Sequence, residues 1–351
     1  MNKFTIFLIL IVTIVFLLNC DEPGDDENLI DNSPKIVFSS WVDGNQEIYT
    51  INYDGSDLDR LTNSPDEDIN YNFSPDGKHI AFVSRRTNRI GPISRSRLGI
   101  YLMETNGRNQ IRLTDDYYRA VSPIFSPNGN YIAFKADSIG NYNKLAIMNS
   151  DGTNRRFLTP EWSGYYYHQF SPDGSRILYT ISPESYVGGI ATMDINGGNI
   201  QHLTPGYEYA TSPRYSSDGS KILFFSYYDL WVMDADGLNK VQLTNDVLNN
   251  FKACFTPEGD KIVFSSSRYV IHEDYEIYII NIDGTGETRL TFSPHDNQSL
   301  EISPDGSKIV FSKGRSGSIY LMDIDGSNQE DLLRDTDISG YSAKFQPQEN
   351  F

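Results

Sequence analysis

One phrase recurs six times along the chain and constrains its fold more than any other feature. FSPDGKHIAF at Phe73 returns as FSPNGNYIAF at Phe125, FSPDGSRILY at Phe170, YSSDGSKILF at Tyr215, FTPEGDKIVF at Phe255 and ISPDGSKIVF at Ile302, a period of about 45 residues. A second phrase rides on it in seven copies: EIYTINYDG at Glu47, GIYLMETNG at Gly99, KLAIMNSDG at Lys144, GIATMDING at Gly189, DLWVMDADG at Asp229, EIYIINIDG at Glu276 and SIYLMDIDG at Ser318. A third, RLT or a close variant, follows at Leu61, Leu113, Leu158, Leu203, Leu243 and Leu290, and decays to DLL in the last copy.

Each unit predicts four short strands, a to d. Strand a ends at FSP, a Pro-Asp-Gly turn reverses the chain into strand b, a loop of variable length leads to strand c, and an Asp-Gly or Asn-Gly turn leads to strand d. Those dipeptides favour tight hairpins because such turns require positive φ. Strands b and c are almost wholly apolar, as a sheet covered on both faces requires. Four-stranded sheets of this period stack around an axis as the blades of a β-propeller. The first copy begins at strand b, KIVFSS from Lys35, and the last residues, GYSAKFQP from Gly340 to Pro347, read as a lone strand a. The two fragments make one blade, so the expectation is an all-β, seven-bladed propeller of four-stranded antiparallel blades, closed by pairing 340–347 with 35–40.

The segments IVFSSWVDGNQEIYTINYDGSDLDRLT and FSPDGSKIVFSKGRSGSIYLMDIDGSNQEDLL resemble the TolB-type propeller repeat, a WD-repeat-like module of bacterial envelope proteins also similar to the propeller of prolyl oligopeptidases. The resemblance spans Pro34 to Pro347. TolB itself carries six blades behind a separate N-terminal domain, whereas this chain reads as seven blades behind a short tether. The resemblance implies an envelope location and a binding role, and no residues remain for an oligopeptidase's hydrolase domain.

Ahead of the repeats, Lys3 precedes the apolar run FTIFLILIVTIVFLL, and LLNC ends it at Cys20. The run is short for a membrane span. It resembles a bacterial lipoprotein signal over residues 1–19 with Cys20 as the lipidated residue, although Asn19 departs from the usual small residue; an ordinary secretory peptide or an uncleaved anchor is the alternative. Residues 20–33 form an acidic tether, with six acids and no base from Asp21 to Asp31, and 348–351 a tail. An acidic stretch at this place also resembles a surface-export signal. Cys254, the other cysteine, has no disulfide partner if Cys20 carries lipid, and its setting in FKACF marks a small core residue.

In this connectivity the a–b and c–d turns share one face, and the variable b–c and d–a loops share the other, where binding on a rigid scaffold normally sits. That variable face is rich in aromatics. Trp41, Tyr118, Trp162, Tyr165, Tyr166, Tyr167, Tyr207 and Tyr209 are candidate ligand contacts, with Arg119 beside Tyr118 and further rings at Tyr186, Tyr227, Tyr228 and Tyr269. Such rings suit peptide or carbohydrate; packing between blades is the alternative for each. The long loop RRTNRIGPISRSRLG presents Arg85, Arg86 and Arg89 without an acid, either an anion dock or a solvated loop.

No nucleophile elbow, metalloprotease helix, phosphate loop or paired-Cys metal site occurs in the sequence. His272, Asp274, His295 and Asp296 lie in adjacent variable-face loops and make a candidate divalent-metal set, an arrangement similar to some seven-bladed polysaccharide lyases. A formal charge of −18 and a pI near 4.6 disfavour nucleic acid. The expectation is a monomeric, lipid-anchored envelope propeller that meets the membrane only through its lipid, binds an envelope protein or glycan on its variable face, and carries no cofactor. A metal-dependent polysaccharide lyase or glycan hydrolase using the same face is the alternative.

Overall fold

The computed structural model describes residues 34–42, 44–86, 98–114, 119–138, 142–159, 167–181, 189–205, 209–245, 250–267, 275–292, 297–314 and 317–348, all within the compact unit Pro34–Phe351. Every regular element among them is a strand, and the strands form seven separate four-stranded antiparallel sheets. Six sheets follow chain order. The second blade, for example, runs Asp68–Phe73, His79–Ser84, Gly99–Glu104 and Ile111–Arg112. The first blade instead takes its strand a from the far end of the chain: Gly340–Phe345 pairs antiparallel with Lys35–Val42, setting Ile36 opposite Phe345, Val37 opposite Lys344 and Ser40 opposite Gly340. The predicted seven-blade closure is the observed one.

The repeated phrases follow from turn chemistry. In FSPDGK, Asp76 accepts from the Lys78 amide at 3.1 Å, Ser74 Oγ accepts from the His79 amide at 2.9 Å, and the Gly77 amide donates to Ser74 O. Gly77 sits at φ +66, and a Cβ there would lie 2.8 Å from the Pro347 carbonyl, so only glycine admits the C-terminal segment beside this turn.

The RLT phrase ties strands and blades together. Its threonine hydroxyl accepts from the second backbone amide of strand c: Thr62 from Ile48, Thr114 from Ile100, Thr159 from Leu145, Thr204 from Ile190, Thr244 from Leu230 and Thr291 from Ile277, all at 2.8–3.0 Å. Its leucine lies under the c–d turn of the next blade, where a Cβ on Gly107 would meet Leu61 O at 2.8 Å and one on Gly197 would meet Leu158 O at 2.8 Å. Its arginine neutralises a buried glutamate at the start of strand c. Arg60 reaches Glu47 at 3.1 Å and Arg289 reaches Glu276 at 2.8 Å, and both glutamates are fully buried. Thr62 and the Ser64 amide also donate to Glu47, which meets the requirement that a buried carboxylate be paired and hydrogen-bonded.

Strands b and c fill the spaces between blades with Ile, Val, Phe and Met, giving one apolar cluster per interface. The closing strand contributes Ala343 and Phe345 to the cluster that also holds Ile36, Phe38, Ile51 and Val310. Phe345→Ala should therefore destabilise the protein by about 3 kcal/mol, the usual cost of emptying a buried aromatic site. Chemical denaturation checks this, and an unchanged midpoint would contradict closure through this strand.

His168, in strand His168–Phe170, is buried in the fourth blade. Burial, reinforced by Lys135, pulls its imidazole down to about 4 from the ordinary 6.5. The folded protein keeps it neutral where the unfolded chain is protonated, so stability should fall as pH drops from 6.5 towards 4, by about 3 kcal/mol over the full window. Melting curves of wild type and His168→Gln across that range should diverge at neutral pH and converge near pH 4; parallel curves would contradict the assignment.

Candidate functional site

Strand a is an edge strand of every sheet and lines the central channel. Its penultimate residue, one per blade, forms a ring: Lys344, Asn72, Ile124, Gln169, Arg214, Cys254 and Glu301, each opposite an aliphatic residue of strand b. Contacts run from blade to blade. Lys344 Nζ donates to Asn72 Oδ1 at 2.6 Å, Asn72 Nδ2 donates to Pro123 O at 2.7 Å, and Arg214 Nη1 donates to Cys254 Sγ at 3.1 Å. Glu301 faces Arg214 at 3.6 Å and Lys252, two residues before Cys254 on its strand, at 3.4 Å.

The sequence reading passed over this ring because its members are unrelated residues 40 to 52 positions apart. A signal was present nonetheless: the residue just before each FSP-type turn is Asn, Gln, Arg, Glu or Lys in five of the seven copies, Ile124 and Cys254 being the exceptions. Cys254 is buried as expected, and it borders both the apolar cluster and the ring. Burial, opposed by Arg214, pushes its thiol up to about 11, which leaves it a poor nucleophile. Burial alone would raise Glu301, but Lys252, Arg214 and Lys344 outweigh it and hold the carboxyl at about 2. Burial and the neighbouring cations Lys252 and Arg214 bring Lys344 down to about 8, against the pull of Glu301.

A cavity of about 740 Å³ opens on these cations from the variable face. Arg214 and Lys252 line it together with Tyr167, Tyr209, Tyr227, Tyr228, Thr211, Ser212 and Asn250. Tyr227 and Tyr228 form the whole connection between Lys221–Ser226 and Asp229–Asp234, and both lie at positive φ, 50° and 70°. A two-residue hairpin needs this conformation, which Asn-Gly supplies easily and tyrosine does not. Tyr209 also has positive φ, at 46°, and stacks edge-on against Tyr227 with centroids 4.9 Å apart. Every other non-glycine residue with positive φ among those described is Asn, Asp or Ser. Three bulky side chains are thus held in a costly backbone state over one cavity, 44–65% exposed.

Two expected contacts, Tyr167 and Tyr209, thus meet in this cavity. Trp41 is exposed at the b–c end of the first blade, and Arg119 is exposed at the start of strand a in the third; neither lines it. Arg85 and Arg86, read from the sequence as an anion dock or a solvated loop, are engaged by acids: Arg85 by Glu67 at 2.7 Å in the preceding d–a connection, Arg86 by the buried Asp68 at the start of strand a. Arg86 also donates to Gln110 and lies over the rings of Phe82 and Tyr101. Cys20, Arg89, Tyr118, Trp162, Tyr165, Tyr166, Tyr207, His272, Asp274, His295 and Asp296 lie outside the described residues. Among the described residues no group of three His, Cys, Asp or Glu side chains is placed to hold a metal, and no helix is long and apolar enough to cross a membrane.

The family model for the TolB beta propeller domain matches residues 93–229 and 142–349. The chain belongs to the TolB β-propeller family. A TolB homologue of Chlorobium chlorochromatii (strain CaD3) is 32% identical over 134 residues, which cover 28% of this chain and 30% of that protein, so the match spans less than a third of the relative's length. Among solved structures, a putative TolB from Agrobacterium tumefaciens aligns with a TM-score of 0.55 at 19% identity, covering 90% of this chain and 98% of that one. An oligogalacturonate lyase in complex with manganese aligns with a TM-score of 0.63 at 16% identity, over 85% of this chain and 84% of the other. At these identities the structures share the propeller fold with this TolB-type chain.

Replacing Tyr227 and Tyr228 with Asn and Gly should relieve the turn strain and raise stability by about 1–2 kcal/mol. Thermal unfolding checks this; a destabilised variant would mean that the rings contribute packing rather than strain.

Proposed function

We propose that this TolB-type propeller is a lipid-anchored binding module of the cell envelope, held by Cys20, whose protein or glycan ligand seats in the cavity at the variable face. One observation carries the reading: Tyr209, Tyr227 and Tyr228 keep strained, exposed conformations around a single cavity instead of yielding to the Asn, Asp and Ser found at the other left-handed positions. Folding alone would favour the cheaper residues, so selection for a contact surface accounts for the tyrosines. Their rings bring large contact area at low entropic cost.

The opposite face supports the same division. Its turns are closed by their own hydrogen bonds, as in Asp54 and Asp283, which accept from Ser56 and Thr285. A face built from such stereotyped turns has little room for a site.

The test compares capture of envelope components by the full-length protein, by Tyr209→Ala/Tyr227→Ala/Tyr228→Ala and by Asp54→Asn/Asp283→Asn. Capture should disappear in the first variant and persist in the second. Loss in the second with the fold intact, or cleavage of polygalacturonate by the wild type in the presence of manganese, would overturn the reading. Membrane retention of a Cys20→Ser variant would overturn the anchor.

A further inference from the structure

Charge sorts the cavity into two levels. Its described rim, Tyr209, Tyr227, Tyr228, Thr211 and Asn250, has no ionised side chain, whereas its floor holds two cations, Arg214 and Lys252, and no acid. Beside them in the ring stand Lys344 and Glu301, the latter as exposed as the two cations at 23%, so three cations share one carboxylate in a protein whose net charge is −18. The sharing is loose. Arg214 and Lys252 approach Glu301 at 3.6 and 3.4 Å, beyond the 2.7–2.9 Å of a charge-assisted hydrogen bond. Arg214 also meets the sulfur of Cys254 and the hydroxyl of Tyr167, and Lys252 meets Ser299 Oγ at 3.5 Å. The two side chains retain 24% and 22% of their exposure, open to the cavity.

We propose that the ligand enters as the C-terminal end of a peptide, with its terminal carboxylate received by Arg214 and Lys252 and its last residues held among Tyr209, Tyr227 and Tyr228; this rests on the cavity being the binding site. The planar guanidinium suits a carboxylate as a two-point acceptor, and the ammonium adds a second charge. A chain end fits the observed layout because it carries one fixed charge at its tip and neutral backbone behind it. A polyuronate carries a carboxylate on every ring and would set the others against the uncharged tyrosine rim. Asn250 steadies that rim, since its amide donates to Tyr228 O at 2.8 Å and to Thr244 Oγ1 at 3.0 Å.

The experiment measures, on the full-length protein in detergent, the affinity for a pool of N-acetylated tetrapeptides with free C-termini, for the same pool amidated, and for trigalacturonate. The free-acid pool should bind at least tenfold more tightly than the amidated one. Lys252→Gln and Arg214→Lys, each checked for an unchanged melting temperature, should shrink that ratio towards one while the amide's affinity stays the same, which a merely structural role would not produce. Equal affinity for both pools, lost in the tyrosine-rim variant, would overturn the carboxylate assignment and leave the cavity as the binding site. Binding of trigalacturonate without the peptides would overturn the peptide end. Absence of binding by all three probes would overturn the proposal.

Discussion

The rest of the structure depends on a non-covalent seam, the pairing of Gly340–Phe345 with Lys35–Val42. No disulfide is available among the described residues, where Cys254 is the free cysteine. The seam is therefore held by ladder hydrogen bonds, by Phe345 and Ala343 in an apolar cluster, and by polar clasps to the second blade. Tyr71 donates its hydroxyl to the carbonyls of Tyr341 and Ser342, and Gln346 donates to Gly77 O. The same strand brings Lys344 into the channel ring. Ring closure and the electrostatics of the channel are thus one event: a propeller open at this seam would lose both its protected edge and one of the cations that hold Glu301 ionised.

Around the ring, six blades fasten strand d to strand c with a threonine hydroxyl, and the first and sixth add a buried ion pair. A buried glutamate, an arginine and a threonine fasten strands c and d where the sequence reads EIY and RLT, and the leucine between them seats the glycine turn of the next blade. Where strand c begins with Gly99 instead of glutamate, Arg112 fills the space and lies over Tyr101. The a–b and c–d turns at the opposite ends of the strands are closed separately, by their own Asp side chains. On the other face the b–c and d–a loops differ from blade to blade, and the exposed positive-φ tyrosines lie there.

The channel also shows how a strongly acidic protein can present a basic interior. Its surface acids lie largely in turns, where they accept backbone and hydroxyl hydrogen bonds and fall below the usual carboxylate range, as at Asp218, Asp283 and Asp325. The cations of strand a face inward. Arg214 and Lys252 line the cavity, with Glu301 as their shared carboxylate.

The sequence by itself determined the blade, the blade number and the closing strand, because each is written in local terms: turn dipeptides that demand positive φ, apolar runs that demand burial, a first copy that lacks strand a and a lone strand a after the last copy. It also indicated the face on which the tyrosines gather. Only the tertiary structure decided which of them meet. Tyr167, Tyr209, Tyr227 and Tyr228 come together because the fourth and fifth blades converge on one axis, while Arg85 and Arg86 are drawn to Glu67 and Asp68. The grouping of Arg214, Lys252, Glu301 and Lys344 spans 130 residues and two ends of the molecule's ring. A periodic sequence specifies each blade's own register, but which side chains become neighbours across the channel is fixed by the rotation from blade to blade, a quantity that exists only once the ring has closed.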